Sequence, residues 1–251
     1  MASNPVLSDN TFEKFERSGQ FSDMSAGTMT LEGTANKTGI LLLLAVISGA
    51  FTWHQILTPG GEGLGMALAI GGVLGGLIVA LVTAFKPKVA PITAPIYAVL
   101  EGLFLGAISG ILNDYRHGIV MQAVGLTFGV MAAMLVAYRT GLIRATEKLW
   151  VGVISATAGV ALFYLTLLMG RMFGAEFGYF MWQPTPISIG VSLLVVGIAA
   201  LNLILDFSII ENGVARRAPK FMEWYGAFSL MTTLVWLYLE ILRLLAKLNR
   251  R

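Results

Sequence analysis

The chain has no cysteine among its 251 residues. That excludes a disulfide framework, a thiolate metal site and a thiol nucleophile. Charge is scarce as well: 12% of residues are Asp, Glu, Lys or Arg, about half the share usual in a water-soluble globular chain. There are two histidines, His54 and His117. Neither has a second ligand at metal spacing, so both read as interfacial side chains. Proline is missing from apolar interiors. Pro5, Pro59, Pro87, Pro91, Pro95, Pro184, Pro186 and Pro219 fall between apolar runs or in a first turn, where a missing N–H costs least. HExxH, GxSxG and P-loop signatures are absent. The glycine-rich run at 60–65 follows no strand and reads as a turn. Nothing here calls for catalysis, a cofactor or a resident metal. A net charge of +3 with no dense basic patch gives no reason to expect a nucleic-acid partner.

What the chain does have is apolar surface, at 56% of residues. A domain of this size exposes much of its surface, so the lipid bilayer is the natural solvent. A helix needs about 20 apolar residues to cross a bilayer. Seven stretches qualify, at about 39–57, 63–85, 94–112, 119–138, 149–169, 187–210 and 224–246. The expected architecture is all-α, a polytopic seven-helix membrane domain over residues 37–251, preceded by a polar segment over 1–36. That segment lacks the basic start and immediate apolar run of a cleavable signal peptide. Glycine lies inside the spans: Gly71, Gly72, Gly75 and Gly76 in the second, Gly102, Gly106 and Gly110 in the third. Small residues at such spacing let membrane helices approach closely. Packing within one bundle is the plainer reading and a dimer seam the sharper one.

Basic residues alternate between loops. Lys14, Arg17, Lys37, Lys86, Lys88, Arg139, Arg144, Lys148, Arg216, Arg217 and Lys220 fall on one side, against Arg116 and Arg171 on the other. The positive-inside rule then places the N-terminus in the cytoplasm. Seven crossings put the C-terminus outside, yet it carries Arg243, Lys247, Arg250 and Arg251. Either that tail is tolerated outside or the last segment stops short of a full crossing. The fifth loop, about 170–186, holds Phe173, Phe177, Tyr179, Phe180 and Trp182, rings that favour the membrane interface.

Ionisable groups inside membrane helices are costly and mark function by default. Three acids qualify: Glu101 in YAVLEGLFLGAISG, Asp206 in ALNLILDFSIIENG and Glu240 in LVWLYLEILRLL. At 1.5 Å per residue, Glu101 lies roughly 10 Å and Asp206 roughly 6 Å from the inner edge, and Glu240 roughly 24 Å in. Depth alone pairs Asp206 with Glu101 more readily than with Glu240. Two carboxyls close together share a proton. Such a pair is a pH-sensitive latch, and when open it attracts a hard cation such as Ca²⁺. The milder alternative leaves Asp206 at the wet end of its helix and pairs Glu240 with Arg243, three residues on. Glu211, Asn212 and Glu223 read as solvated loop residues. The seventh span has no mid-membrane lysine, which argues against a retinal Schiff base.

The stretch LILDFSIIENGVARRAPKFMEWYGAFSLMTTLVWLYLEILRLL at 203–245 resembles the C-terminal part of the Bax inhibitor family, also called the transmembrane Bax inhibitor motif family. The SerAsnProValLeu start at 3–7 and the EGLFLGAISG run are similar to its bacterial branch. The resemblance implies a seven-helix bundle with the last helix central, in a bacterial cell (inner) membrane. It implies a proton-sensitive Ca²⁺ leak gated by two acids, at positions matching Asp206 and Glu240. The second is more often aspartate in the family, so Glu240 is a departure. An arginine on the second helix, which partners the latch in some members, is missing here. A different role is also implied by some bacterial relatives: a non-conducting regulator of a membrane protease or of the insertion machinery. That reading makes FEKFERSGQF in the N-terminal segment a docking element.

Overall fold

The computed structural model describes residues 27–173 and 183–249. The N-terminal segment before Gly27, most of the aromatic fifth loop, and Arg250 and Arg251 lie outside the described residues. So do the SerAsnProValLeu start and the FEKFERSGQF element.

Seven long α-helices follow one another: α1 Leu31–Leu57, α2 Glu62–Phe85, α3 Ala90–Tyr115, α4 Ile119–Arg139, α5 Glu147–Met172, α6 Pro186–Ala215 and α7 Met222–Leu248, with a short 3₁₀ turn, Pro87–Val89, before α3. All seven are long and apolar enough to cross a membrane. The shortest, α4 with 21 residues, reaches about 32 Å, the depth of a hydrocarbon core. Apart from the stretch between α5 and α6, the connections are short. Gly60, Gly118 and Gly141 take positive φ values of 81°, 86° and 72° in three of them, a backbone region open chiefly to glycine.

Three boundaries depart from the apolar runs; α6 continues to Ala215, five residues past its run, so Glu211 and Asn212 stand on its last turns and not in the loop. α1 begins about eight residues before its run. Thr30 caps it, its hydroxyl accepting from Gly33 N–H at 2.9 Å, and Thr34 and Thr38 are buried on its first turns. α3 begins at Ala90, so Pro95 stands inside that helix rather than in its first turn. Only the carbonyl of Pro91, itself in the first turn, loses an i+4 donor there, which keeps the cost local.

The contacts divide the chain into two units. The first is Met1–His117 with Asp206–Thr232, and the second is Gly118–Leu205 with Thr233–Arg251. Both α6 and α7 therefore contribute a part to each.

In the first unit α3 packs between α1 and α2 through bare backbone. A methyl group at Gly106 would overlap the carbonyl of Gly49, and one at Gly102 would overlap Ser48 Oγ and the Ala45 carbonyl. A methyl at Gly72 would meet the Leu100 carbonyl. The small-residue stripes thus serve packing within the chain. The ring of Phe228 on α7 meets Tyr97 of α3 edge-on at 4.9 Å.

In the second unit α5 is the barest helix, with 6% of its apolar window buried against 61% for α7. Val151, Leu162, Leu165 and Leu168 are exposed, a face suited to lipid tails. Of the seven helices, α7 has the largest buried share of its apolar window.

Candidate functional site

Burial sorts the three sequence-derived acids. Asp206 is wholly buried and Glu240 nearly so, at 0% and 2% exposure, while Glu101 is half-buried. Each is surrounded by a different set of partners.

Asp206 lies in the first unit on the last third of α6. Ser229 of α7 donates its hydroxyl to Asp206 Oδ1 at 2.8 Å. A hydroxyl can donate to a carboxylate or accept from a carboxylic acid, so it suits either protonation state. Near them along α6 and α7, Ile209, Phe228 and Met231 are buried too. Glu101 belongs to the same unit and lies on the α3 face toward α2, where a methyl at Gly76 would come to 3.3 Å from Glu101 Oε2.

Glu240 lies in the second unit and is held by two donors. The Tyr164 hydroxyl of α5 reaches its two oxygens at 2.9 and 3.1 Å. Arg243 Nη1 lies 2.9 and 3.0 Å from the same oxygens. The guanidinium also donates to the Tyr164 oxygen and stacks over its ring, 5.0 Å from the centroid. Glu240, Arg243 and Tyr164 form one group in which the negative charge is matched and the tyrosine proton is used. The pairing of Glu240 with Arg243 was legible from their spacing; Tyr164, 76 positions away, was not.

Two charges read as loop or tail residues are buried. Lys247, near the end of α7, is 2% exposed. Its ammonium donates to the Ser188 carbonyl at 3.1 Å and to Ser192 Oγ at 2.7 Å, both at the start of α6. With Arg243 bound to Glu240 and Lys247 folded in, the basic tail that opposed a seventh crossing shrinks to Arg250 and Arg251. Glu223, expected to be solvated, is 0% exposed. It accepts from Thr30 N at 2.9 Å, Thr30 Oγ1 at 2.8 Å and Lys220 Nζ at 2.7 Å, and pairs with Lys37. Glu211 and Asn212 are exposed, as expected. The one legible clue to Glu223 was its i,i+3 spacing from Lys220 at a helix start, where an acid is favoured. Among the described residues, no three His, Cys, Asp or Glu side chains gather in a metal-holding cluster.

Seven spanning helices with acids sealed inside them define an integral membrane protein. The family model described as Bax inhibitor 1 like matches residues 4–250, nearly the whole chain, and the chain belongs to that family. Comparison with curated proteins and with solved structures gives no match.

Proposed function

We propose that this protein is a pH-sensitive cation leak, with Ca²⁺ the permeating ion, gated by its buried carboxylates. The observation that carries the reading is Asp206: a wholly buried acid held by a neutral hydroxyl. When Asp206 is protonated, its bond to Ser229 survives and α6 stays closed on α7. When it ionises, a negative charge is buried between helices, where holding it is costly. Opening toward water relieves that cost, and a carboxylate oxygen is the ligand Ca²⁺ prefers. Glu240 plays the other part. Its charge is already matched by Arg243, so protonating it would strand a guanidinium, and it acts as an anchor for α7. In this reading the N-terminus faces the cytoplasm of a bacterial cell.

The test is Ca²⁺ flux in reconstituted vesicles between about pH 6 and pH 8. Asp206→Asn is expected to flatten the pH response, while Glu240→Gln keeps it and lowers the amount of folded protein. A pH response unchanged by Asp206→Asn overturns the assignment.

A second reading, a non-conducting regulator of a membrane protease, draws support from the anchoring of residues 27–30 beside the α6–α7 loop. Met29 N–H donates to the Ala218 carbonyl at 2.7 Å, and Thr28 pairs with Pro219 in an antiparallel bridge. This fixes residues 27–30 beside the start of α7. Deleting residues 1–26 is expected to abolish association with the protease. Retained association counts against that reading.

A further inference from the structure

Glu223 accepts hydrogen bonds from three residues, and the gating reading leaves it unused. It stands in the first turn of α7. Its partners come from the residue that caps α1, from the second turn of α1, and from the α6–α7 loop: Thr30, Lys37 and Lys220. The Lys37 ammonium is also 5.4 Å from the centre of the Trp224 ring. Gly33 is part of the same construction, because a methyl group there would overlap the Glu223 carboxylate. Backbone closes the other side: Met29 N–H donates to Ala218 O, Lys220 N–H donates to Gly27 O at 3.2 Å, and Thr28 bridges Pro219. Met29 is buried, with its methyl 3.3 Å from the position a Cβ on Gly226 would take. The starts of two helices far apart in sequence are thus joined by one carboxylate, two ammonium groups and a short backbone ladder.

We infer that this cluster is a charge-operated catch that fixes the start of α7 to the start of α1 and restrains the leak. Two features point to a catch rather than to inert packing. Its outer partner, Lys220, keeps 44% of its side chain exposed, so the cluster opens at its rim without unpacking the core. And it grips the one helix that carries both Ser229 and Glu240, so a shift of α7 at Glu223 is felt where Asp206 is bonded. The restraint on flux rests on the leak reading above; the catch itself does not.

The chain's lack of cysteine makes the test clean. Residues facing each other across an antiparallel bridge have Cα atoms about 4.5–5.5 Å apart, within the range a disulfide spans. Thr28→Cys with Pro219→Cys, in the full-length protein in lipid vesicles, is expected to cross-link rapidly under mild oxidation. Adding Glu223→Gln is expected to slow cross-linking about tenfold, and adding Lys220→Gln, a milder change at the exposed rim, about threefold. With native residues at 28 and 219, Glu223→Gln is expected to raise Ca²⁺ flux severalfold at every pH while keeping its pH response. In the cross-linked form that increase is expected to vanish. Cross-linking at the parent rate in both the Glu223→Gln and Lys220→Gln backgrounds overturns the catch. Slower cross-linking with unchanged flux, in a protein that does conduct, overturns its role as a restraint. If the unsubstituted protein conducts nothing, the leak reading falls, and with it the restraint. The cross-linking rates then decide the catch by themselves.

Discussion

The two units hold their helices together by opposite means. In the first, α1, α2 and α3 touch through glycine, with backbone carbonyls lying where Cβ atoms would be at Gly72, Gly102 and Gly106. In the second, a Cβ built on Gly125, Gly129, Gly152, Gly159, Gly190 or Gly197 meets nothing within 4 Å. There polar contacts join the helices: Tyr164 and Arg243 on Glu240, Lys247 on Ser188 and Ser192, and Asn202 on Thr157 at 2.9 Å. Close approach and interhelical hydrogen bonds are the two forces left to membrane helices, since lipid offers no hydrophobic contrast. The first tolerates no added atom. The second tolerates change in proportion to the charge left behind.

Gly106→Val is the harshest way to break the comparison. Its branched side chain has to enter the Gly49 backbone, and we expect a loss of about 3 kcal/mol or more, read as thermal unfolding in detergent. Gly125→Ala, in an equally plausible GxxxG, is expected to be neutral or stabilising by up to about 1 kcal/mol. Equal damage from both would erase the distinction between the units. Next comes Glu240→Gln, expected to cost about 2 kcal/mol because Arg243 is left without its anion. Arg243→Met in the same chain should recover much of that loss, and failure to do so would show that Tyr164 carries the stability. Ser229→Ala removes one hydroxyl from Asp206 and is expected to cost about 1 kcal/mol while displacing the pH at which flux changes. Asn202→Leu should be the mildest of the polar changes, at about 0.6 kcal/mol, the average of such bonds between membrane helices.

Much of this was legible in the residues. The apolar runs located all seven helices, because length and hydropathy alone decide what lipid accepts. An acid inside such a run announces itself, so Asp206 and Glu240 stood out. Arg243 was visible at i+3. Other features depend on distance in sequence. Gly102–Gly106 and Gly125–Gly129 read alike, and only the arrival of Gly49 against the first pair separates them. Glu223 looked solvated because its main partners, Thr30 and Lys37, are 193 and 186 positions away. Lys247 looked like a tail charge because Ser188 and Ser192 belong to another helix. Polar residues at helix ends reveal their burial only when the partner's position is known.

The pairing of Thr28–Lys37 with Pro219–Glu223 also sets an order of events during synthesis. The start of α1 emerges first, yet its bonding partners follow 186 residues later, on the order of ten to forty seconds at cellular elongation rates. Throughout that interval Lys37 and Thr30 lack the acid that binds them. Six helices must enter the membrane before the first one is finished. The chain therefore closes on its first helix only when its last helix begins, and a truncation anywhere before Glu223 leaves the N-terminal end of α1 without its clamp.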